Sequence, residues 1–188
     1  VTGVFVPVVG PSGVGKDSLI AAARARFAGD SRVVFVRRVI TRAEGGNEDH
    51  DTVDAAGFAD MQARGAFVLS WGAHGLYYGI PASALADVRA GRVVVANLSR
   101  GALTDARAVF PAVRVVAVTA PPQVLAARLA RRGRESGSDI ETRMTRPAAV
   151  VSGGADVVTV DNGGAFEDAA RGFSAVIGDL AAERVDGQ

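Results

Sequence analysis

Residues 4–20 read VFVPVVGPSGVGKDSLI, and three physical signals meet in them. The Val-rich apolar run at 4–9 fits a strand buried on both faces of a parallel sheet. Glycines 10, 13 and 15 supply a turn whose backbone N–H groups can point inward around an anion. From Lys16 to about Phe27 apolar positions recur at helical spacing among Ala and Arg, which favour helix. A strand passing through glycines into a helix N-terminus is a phosphate cradle, and residues 10–16 match the spacing G-x-x-x-x-G-K. The next position breaks the pattern. It ordinarily carries a Ser or Thr whose hydroxyl ligates Mg²⁺, and here it is Asp17.

Outward from this stretch, strands are expected at 33–36, 92–96, 113–119 and 157–160. Helices are expected at 82–90, 101–110, 123–130, 140–150 and 166–183. The alternation predicts an α/β chain with the three-layer P-loop NTPase fold, a parallel sheet flanked by helices and joined by right-handed crossovers. Residues 37–79 stand apart as a polar, Gly-containing, irregular stretch, longer than an ordinary connection and therefore expected to be functional. Residues 131–138 form a second, charged loop.

At 188 residues the chain fits one domain with a full core. It has no cysteine, which excludes disulfides, thiol nucleophiles and thiolate metal sites. No apolar run reaches the length of a membrane span, and the N-terminus lacks a signal-peptide layout. A soluble cytoplasmic protein is expected. A formal net charge of +1 argues against a nucleic-acid or membrane binder. Among 21 Lys and Arg residues the sole lysine is Lys16. An Arg-rich composition can be a bias of the genome, and under such a bias the surviving lysine needs its own reason. A compact ammonium on a flexible stem reaches along bound phosphates in a way that an arginine fork does not.

A bare carboxylate beside a polyphosphate would repel it, but one sharing Mg²⁺ with the polyphosphate would not. P-loop enzymes commonly place an Asp at the end of a neighbouring strand to help hold the metal. Here the strand RVVVANLSR ends in Asn97. Asp17 is therefore expected to supply the missing acidic function as the metal ligand. The alternative is an acid favoured by the helix first turn alone. Gly10, Pro11, Ser12, Gly13, Val14, Gly15, Lys16, Asp17 and Ser18 form the expected ATP-binding set, with Ser18 directed to an α-phosphate.

GPSGVGKD, RVITR (38–42), GGNEDH (45–50), SWGAHGLYYGIP (70–81), NLSR (97–100) and RLARRGRESGSDIETRM (128–144) occur in this order. Together they resemble the ribose 1,5-bisphosphate phosphokinases, the guanylate-kinase-like enzymes of phosphonate breakdown, over most of the chain. The resemblance implies ATP-dependent conversion of ribose 1,5-bisphosphate to 5-phosphoribosyl 1-diphosphate. It implies ATP and Mg²⁺ as cofactors and a small sugar phosphate as the partner, with no nucleic acid and no membrane. It also implies a single P-loop kinase domain over 1–188. Its core would comprise 1–36, 82–130 and 151–188, with an acceptor-binding region at 37–81 and an Arg-rich lid at about 131–150.

Guanylate kinase is the nearest alternative, and the departures from it are informative. Aligned on Tyr78–Gly79, the position of the guanine-reading Glu falls at Leu69, and the hydroxyl positions fall at Ile80 and Pro81. A site built for guanine pays heavily for lost acceptors. What remains suits a phosphorylated acceptor without a base. Arg38 and Arg42 can clamp phosphate. Thr41, His50, His74, Tyr78, Asn97, Ser99 and Arg100 complete the substrate-binding set, although His74 is equally readable as a loop residue beside Gly75. Trp71 and Tyr77 are read as core or pocket wall. In the lid, the resemblance assigns Arg132 and Arg143 to ATP phosphates, with Arg128 and Arg134 behind them and Arg131 and Arg146 on the surface. The catalytic set is thus Lys16, Asp17, Arg132 and Arg143. Residues 156–162 follow the pattern of an adenine pocket. A non-catalytic binding domain on a kinase scaffold is a third reading, opposed by the intact glycines and Lys16.

Overall fold

The computed structural model describes residues 2–42, 50–132 and 155–183. Five parallel strands form the main sheet: β1 (Val4–Val9), β2 (Val33–Phe35), β7 (Val93–Asn97), β8 (Val115–Thr119) and β9 (Val157–Asp161). Their order is β2-β7-β1-β8-β9, so β1 is central. Every residue of β1 is buried, as its continuous apolar run requires.

Strand alternation divides β1 between two core layers. Val4, Val6 and Val8 pack with Leu19, Ile20 and Ala23 of α1 (Lys16–Arg26) and with Phe173 and Ile177 of α6 (Phe166–Ala182). Phe5 and Val9 pack on the other side with Ala84 and Val88 of α3 (Ser83–Arg89) and Leu103 and Ala106 of α4 (Leu103–Val109). Phe5 stacks on Phe110 there, with centroids 3.9 Å apart. The expected helix at 101–110 opens as a 3₁₀ turn, Arg100–Ala102. Helix α5 (Pro122–Arg132) follows β8. No helix among the described residues is long and apolar enough to cross a membrane.

The stretch 37–79, read as irregular, is instead built of regular elements. It holds β3 (Arg38–Ile40), β4 (His50–Thr52), α2 (Ala55–Ala63), β5 (Phe67–Ala73) and β6 (Leu76–Pro81). The strands form a second sheet in the order β4-β3-β6-β5. Two of them are only three residues long, too short for an alternation to register. β5 and β6 are joined by His74 and Gly75, both with left-handed φ (54° and 73°), the geometry of a tight hairpin turn. Gly79 is required in β6, because a Cβ there would lie 2.5 Å from the Phe67 ring.

The second sheet has two faces. On one, Phe58 of α2 stacks against Phe67 and Tyr77. On the other, the registers place Arg38, Ile40, His50, Leu69, Trp71, Tyr78 and Ile80 together. Leu69 and Ile80 of this face join the same apolar layer as Phe5 and Val9. The sheet is thereby anchored beside the carboxyl ends of the main strands, where ligands of open α/β sheets bind.

Candidate active site

The turn from Gly10 to Gly15 lies between β1 and α1, at the carboxyl edge of the sheet. Gly13 and Gly15 take left-handed φ of 80° and 95°. Gly15 is doubly constrained, since a Cβ there would meet Asn162 Nδ2 at 2.5 Å. The loop is braced from beneath. The Val14 carbonyl accepts from Asn162 Nδ2 at 2.7 Å and from Arg128 Nη1 at 3.3 Å. Arg128 Nη2 also donates to the Asn162 carbonyl at 2.9 Å. Arg128, expected behind the main lid arginines, here ties α5 to the phosphate loop and to the end of β9. Lys16 arches over the loop and donates to the carbonyls of Gly10 (2.8 Å) and Pro11 (3.1 Å).

Gly15→Ala should therefore lose ADP affinity by at least about tenfold, from left-handed strain and the collision with Asn162. Calorimetric titration with ADP checks this, with circular dichroism confirming the fold.

Asp17 occupies the first turn of α1. Asn97 closes β7 in register with Val8 of β1, which sets it beside the loop. Asn97 Nδ2 donates to Asp17 Oδ1 at 2.6 Å. Arg38 Nη2 stands 4.0 Å from the same oxygen. The described residues contain no cluster of three or more His, Asp or Glu side chains. A lone, partly exposed carboxylate still fits Mg²⁺, which keeps most of its waters and shares phosphate oxygens with its nucleotide.

From Arg38 the contacts run along the second sheet. Its guanidinium lies over the Tyr78 ring, 5.7 Å from the centroid. Tyr78 stacks on Trp71 at 5.4 Å with an interplanar angle of 7°. Trp71 Nε1 donates to Ser99 Oγ at 2.8 Å. Ser99 follows Asn97 by two residues, so the chain of contacts closes on itself. It runs Asn97, Asp17, Arg38, Tyr78, Trp71, Ser99, and links the phosphate loop to the acceptor region. The sequence reads Trp71 as core or pocket wall. An indole N–H at the margin of a core needs a partner, and that was the signal available.

The remaining predicted positions are spread around this ring. Thr41 Oγ1 accepts from the Tyr77 N–H at 2.8 Å, which pins β3 to β6. Arg42 follows it, half-buried. His50 pairs with Arg38 in register, and its buried Nδ1 has no hydrogen-bond partner among the described residues. His74 is exposed at the hairpin tip, one residue past the Ala73–Leu76 pair. Arg100 opens the 3₁₀ turn after Ser99. Ser12 and Ser18 are exposed on either side of the buried Val14. Arg132 ends α5, and its side chain lies outside the described residues. So do Arg134, Arg143, Arg146, the expected helix at 140–150 and most of the expected lid.

The curated ribose 1,5-bisphosphate phosphokinase PhnN of Acidiphilium cryptum is 52% identical over 156 residues, covering 83% of this chain and 83% of that protein. The PhnN of Rhizobium etli is 48% identical over 182 residues, covering 96% of this chain and 92% of that protein. The chain belongs to the ribose 1,5-bisphosphate phosphokinase family. No family model matches it. Among solved structures, guanylate kinase from Anaplasma phagocytophilum shares the fold with a TM-score of 0.66. That match covers 97% of this chain and 87% of the other at 19% identity. Two of the positions where the sequence leads one to expect guanine-reading side chains in a guanylate kinase are apolar and buried here. Leu69 and Ile80 pair in register, 6% and 0% exposed.

Trp71→Phe would keep the stack on Tyr78 and remove the donor to Ser99. A stability loss of about 1 kcal/mol is expected, read by thermal unfolding. The acceptor KM should rise severalfold while ADP affinity stays unchanged, because the phosphate loop is untouched.

Proposed function

We propose that this chain transfers the γ-phosphoryl group of ATP to the 1-phosphate of ribose 1,5-bisphosphate, giving 5-phosphoribosyl 1-diphosphate and ADP. The observation that carries this reading is the face of the second sheet. It brings a buried arginine, Arg38, to within 4.0 Å of Asp17, while Leu69 and Ile80, where the likeness to guanylate kinases would put acceptors for a base, are packed into the apolar core. Family membership supports the same conclusion.

In this reading the phosphate loop, with Lys16 and Ser18, holds the ATP phosphates. Asp17 helps to hold Mg²⁺, which when bound neutralises charge on the phosphates. Arg38 and Arg42 grip phosphate of the acceptor. His50, Tyr78, Ser99 and Arg100 surround the remaining sugar and phosphate groups, and Thr41 and Asn97 fix the walls between them. Arg132 and Arg143 approach the ATP phosphates from the lid.

The nucleophile is an oxygen of the 1-phosphate, already anionic near neutral pH. It forms the new P–O bond as the bond from the γ-phosphorus to the bridging oxygen breaks, and ADP leaves with that electron pair. No proton has to be removed first. The chain's task is therefore in-line positioning and charge neutralisation, in keeping with one lysine, one carboxylate and several arginines.

Paired assays test the proposal, with ATP and either ribose 1,5-bisphosphate or GMP. Release of ADP with the sugar bisphosphate, and little with GMP, is the expected result. Robust GDP formation without any 5-phosphoribosyl 1-diphosphate would overturn it.

A further inference from the structure

We infer that Asn97 is a positioning residue that acts through Asp17, holding one carboxylate oxygen so that the other is presented to the metal. The inference rests on the reading of Asp17 as the metal-holding group. It adds a role for a side chain that sequence reasoning had assigned to the substrate.

The placement of the two residues supports this. Asn97 lies at the end of β7, a strand buried along its whole length and paired to the central β1. It is 8% exposed and has little freedom to swing away. Asp17 sits on the first turn of α1, its side chain 38% exposed and otherwise able to turn toward solvent. The 2.6 Å hydrogen bond from Asn97 Nδ2 joins a buried strand to that partly exposed carboxylate. Arg38 approaches the same oxygen, Oδ1, from the second sheet. With Asn97 donating to Oδ1 and the Arg38 guanidinium 4.0 Å from the same oxygen, Oδ2 is the oxygen presented to a cation.

The chemistry explains why an amide suits position 97. A carboxylate there would stand in hydrogen-bond range of Asp17, and two carboxylates at that separation cannot both stay ionised without a cation between them. An aliphatic residue would leave Asp17 oriented by Arg38 alone, and Arg38 also has an acceptor phosphate to serve. An amide can donate an N–H to Asp17 without bringing a second charge. Outer partners that orient a metal ligand commonly change metal affinity by roughly 10- to 100-fold when removed.

The test measures Mn²⁺ binding to the complex of the full chain with ADP, from the paramagnetic resonance signal of free Mn²⁺, with protein in excess over ADP. Wild type, Asn97→Ala, Asp17→Ala and the double variant are compared. ADP affinity without metal reports whether the phosphate loop is intact. Asn97→Ala should weaken Mn²⁺ binding about tenfold or more and leave metal-free ADP binding within about twofold. In the Asp17→Ala background the second substitution should add nothing, because the group it positions is gone.

Unchanged Mn²⁺ binding in Asn97→Ala would overturn the positioning role and leave Asp17 as the metal-holding group. An equal further loss in the Asp17→Ala background would do the same. Loss of metal-free ADP binding in Asn97→Ala would show that Asn97 supports the fold rather than the carboxylate. Unchanged Mn²⁺ binding in Asp17→Ala would remove the metal assignment itself, and the positioning role with it.

Discussion

Lys16→Ala is expected to lower kcat by on the order of 10²- to 10³-fold, the usual cost of losing a donor aimed at charge that develops in the transition state. Lys16 is the sole lysine of the chain, and its ammonium spans the loop between the Gly10 and Pro11 carbonyls. A group held across the mouth of the cradle is preorganised for the phosphates that enter it. Lys16→Arg should not rescue, because a planar fork cannot take the place of a compact ammonium inside so tight a turn. The unfolding temperature should move little in either variant, since the ammonium is not part of the core. Steady-state ATP turnover at saturating acceptor checks the effect. A kcat within fivefold of wild type would remove Lys16 from the catalytic group.

Arg38→Ala is expected to lower kcat/KM for the acceptor by about 10²-fold or more while leaving ADP affinity nearly unchanged. Among the described residues, Arg38 is the only buried charged side chain. A charge taken out of water needs partners to offset the loss of hydration. Asp17 at 4.0 Å and the Tyr78 ring supply part of this, and an acceptor phosphate would add a charge-assisted pair. Arg38→Lys should recover part of the loss, since it restores charge without the fork. The split between acceptor and nucleotide binding separates Arg38 from Lys16. If Arg38→Ala weakened ADP and acceptor equally, the division into a phosphate loop and an acceptor face would be wrong.

The parts of the fold governed by local pattern were legible in the sequence. The Val runs at 4–9 and 93–96 are strands because a parallel strand covered on both faces must be apolar throughout. The run at 157–160 lies in the edge strand β9, where Thr159 is exposed and Val160 buried. The phosphate loop was legible because its glycines serve left-handed geometry and close approach, as at Gly15. The second sheet was not legible. Its short strands carry too few residues to show a period, and their pairing is set by contacts between segments far apart in the chain. For the same reason the ring through Tyr78, Trp71 and Ser99 could not be read, although each member stands inside a recognisable motif. Asp17 and Asn97 were individually conspicuous as an acid and an amide in unexpected places. That one donates to the other follows only from strand order, which sets the end of β7 beside β1.

Arg128 teaches a related lesson. A run of arginines suggests phosphate contacts, but an arginine on the inner side of α5 finds the carbonyls of Val14 and Asn162 first. Unsatisfied carbonyls behind a strained loop compete for the same donors as a nucleotide does.

The central claim is that the acceptor is the 1-phosphate of a sugar bisphosphate. Phosphorus NMR of the products formed from ATP and ribose 1,5-bisphosphate tests it most directly. The predicted spectrum gains a diphosphate on C1, retains the 5-phosphate as a monoester, and accumulates ADP in equal amount. ADP accompanied only by inorganic phosphate, with the sugar bisphosphate unchanged, would contradict the account.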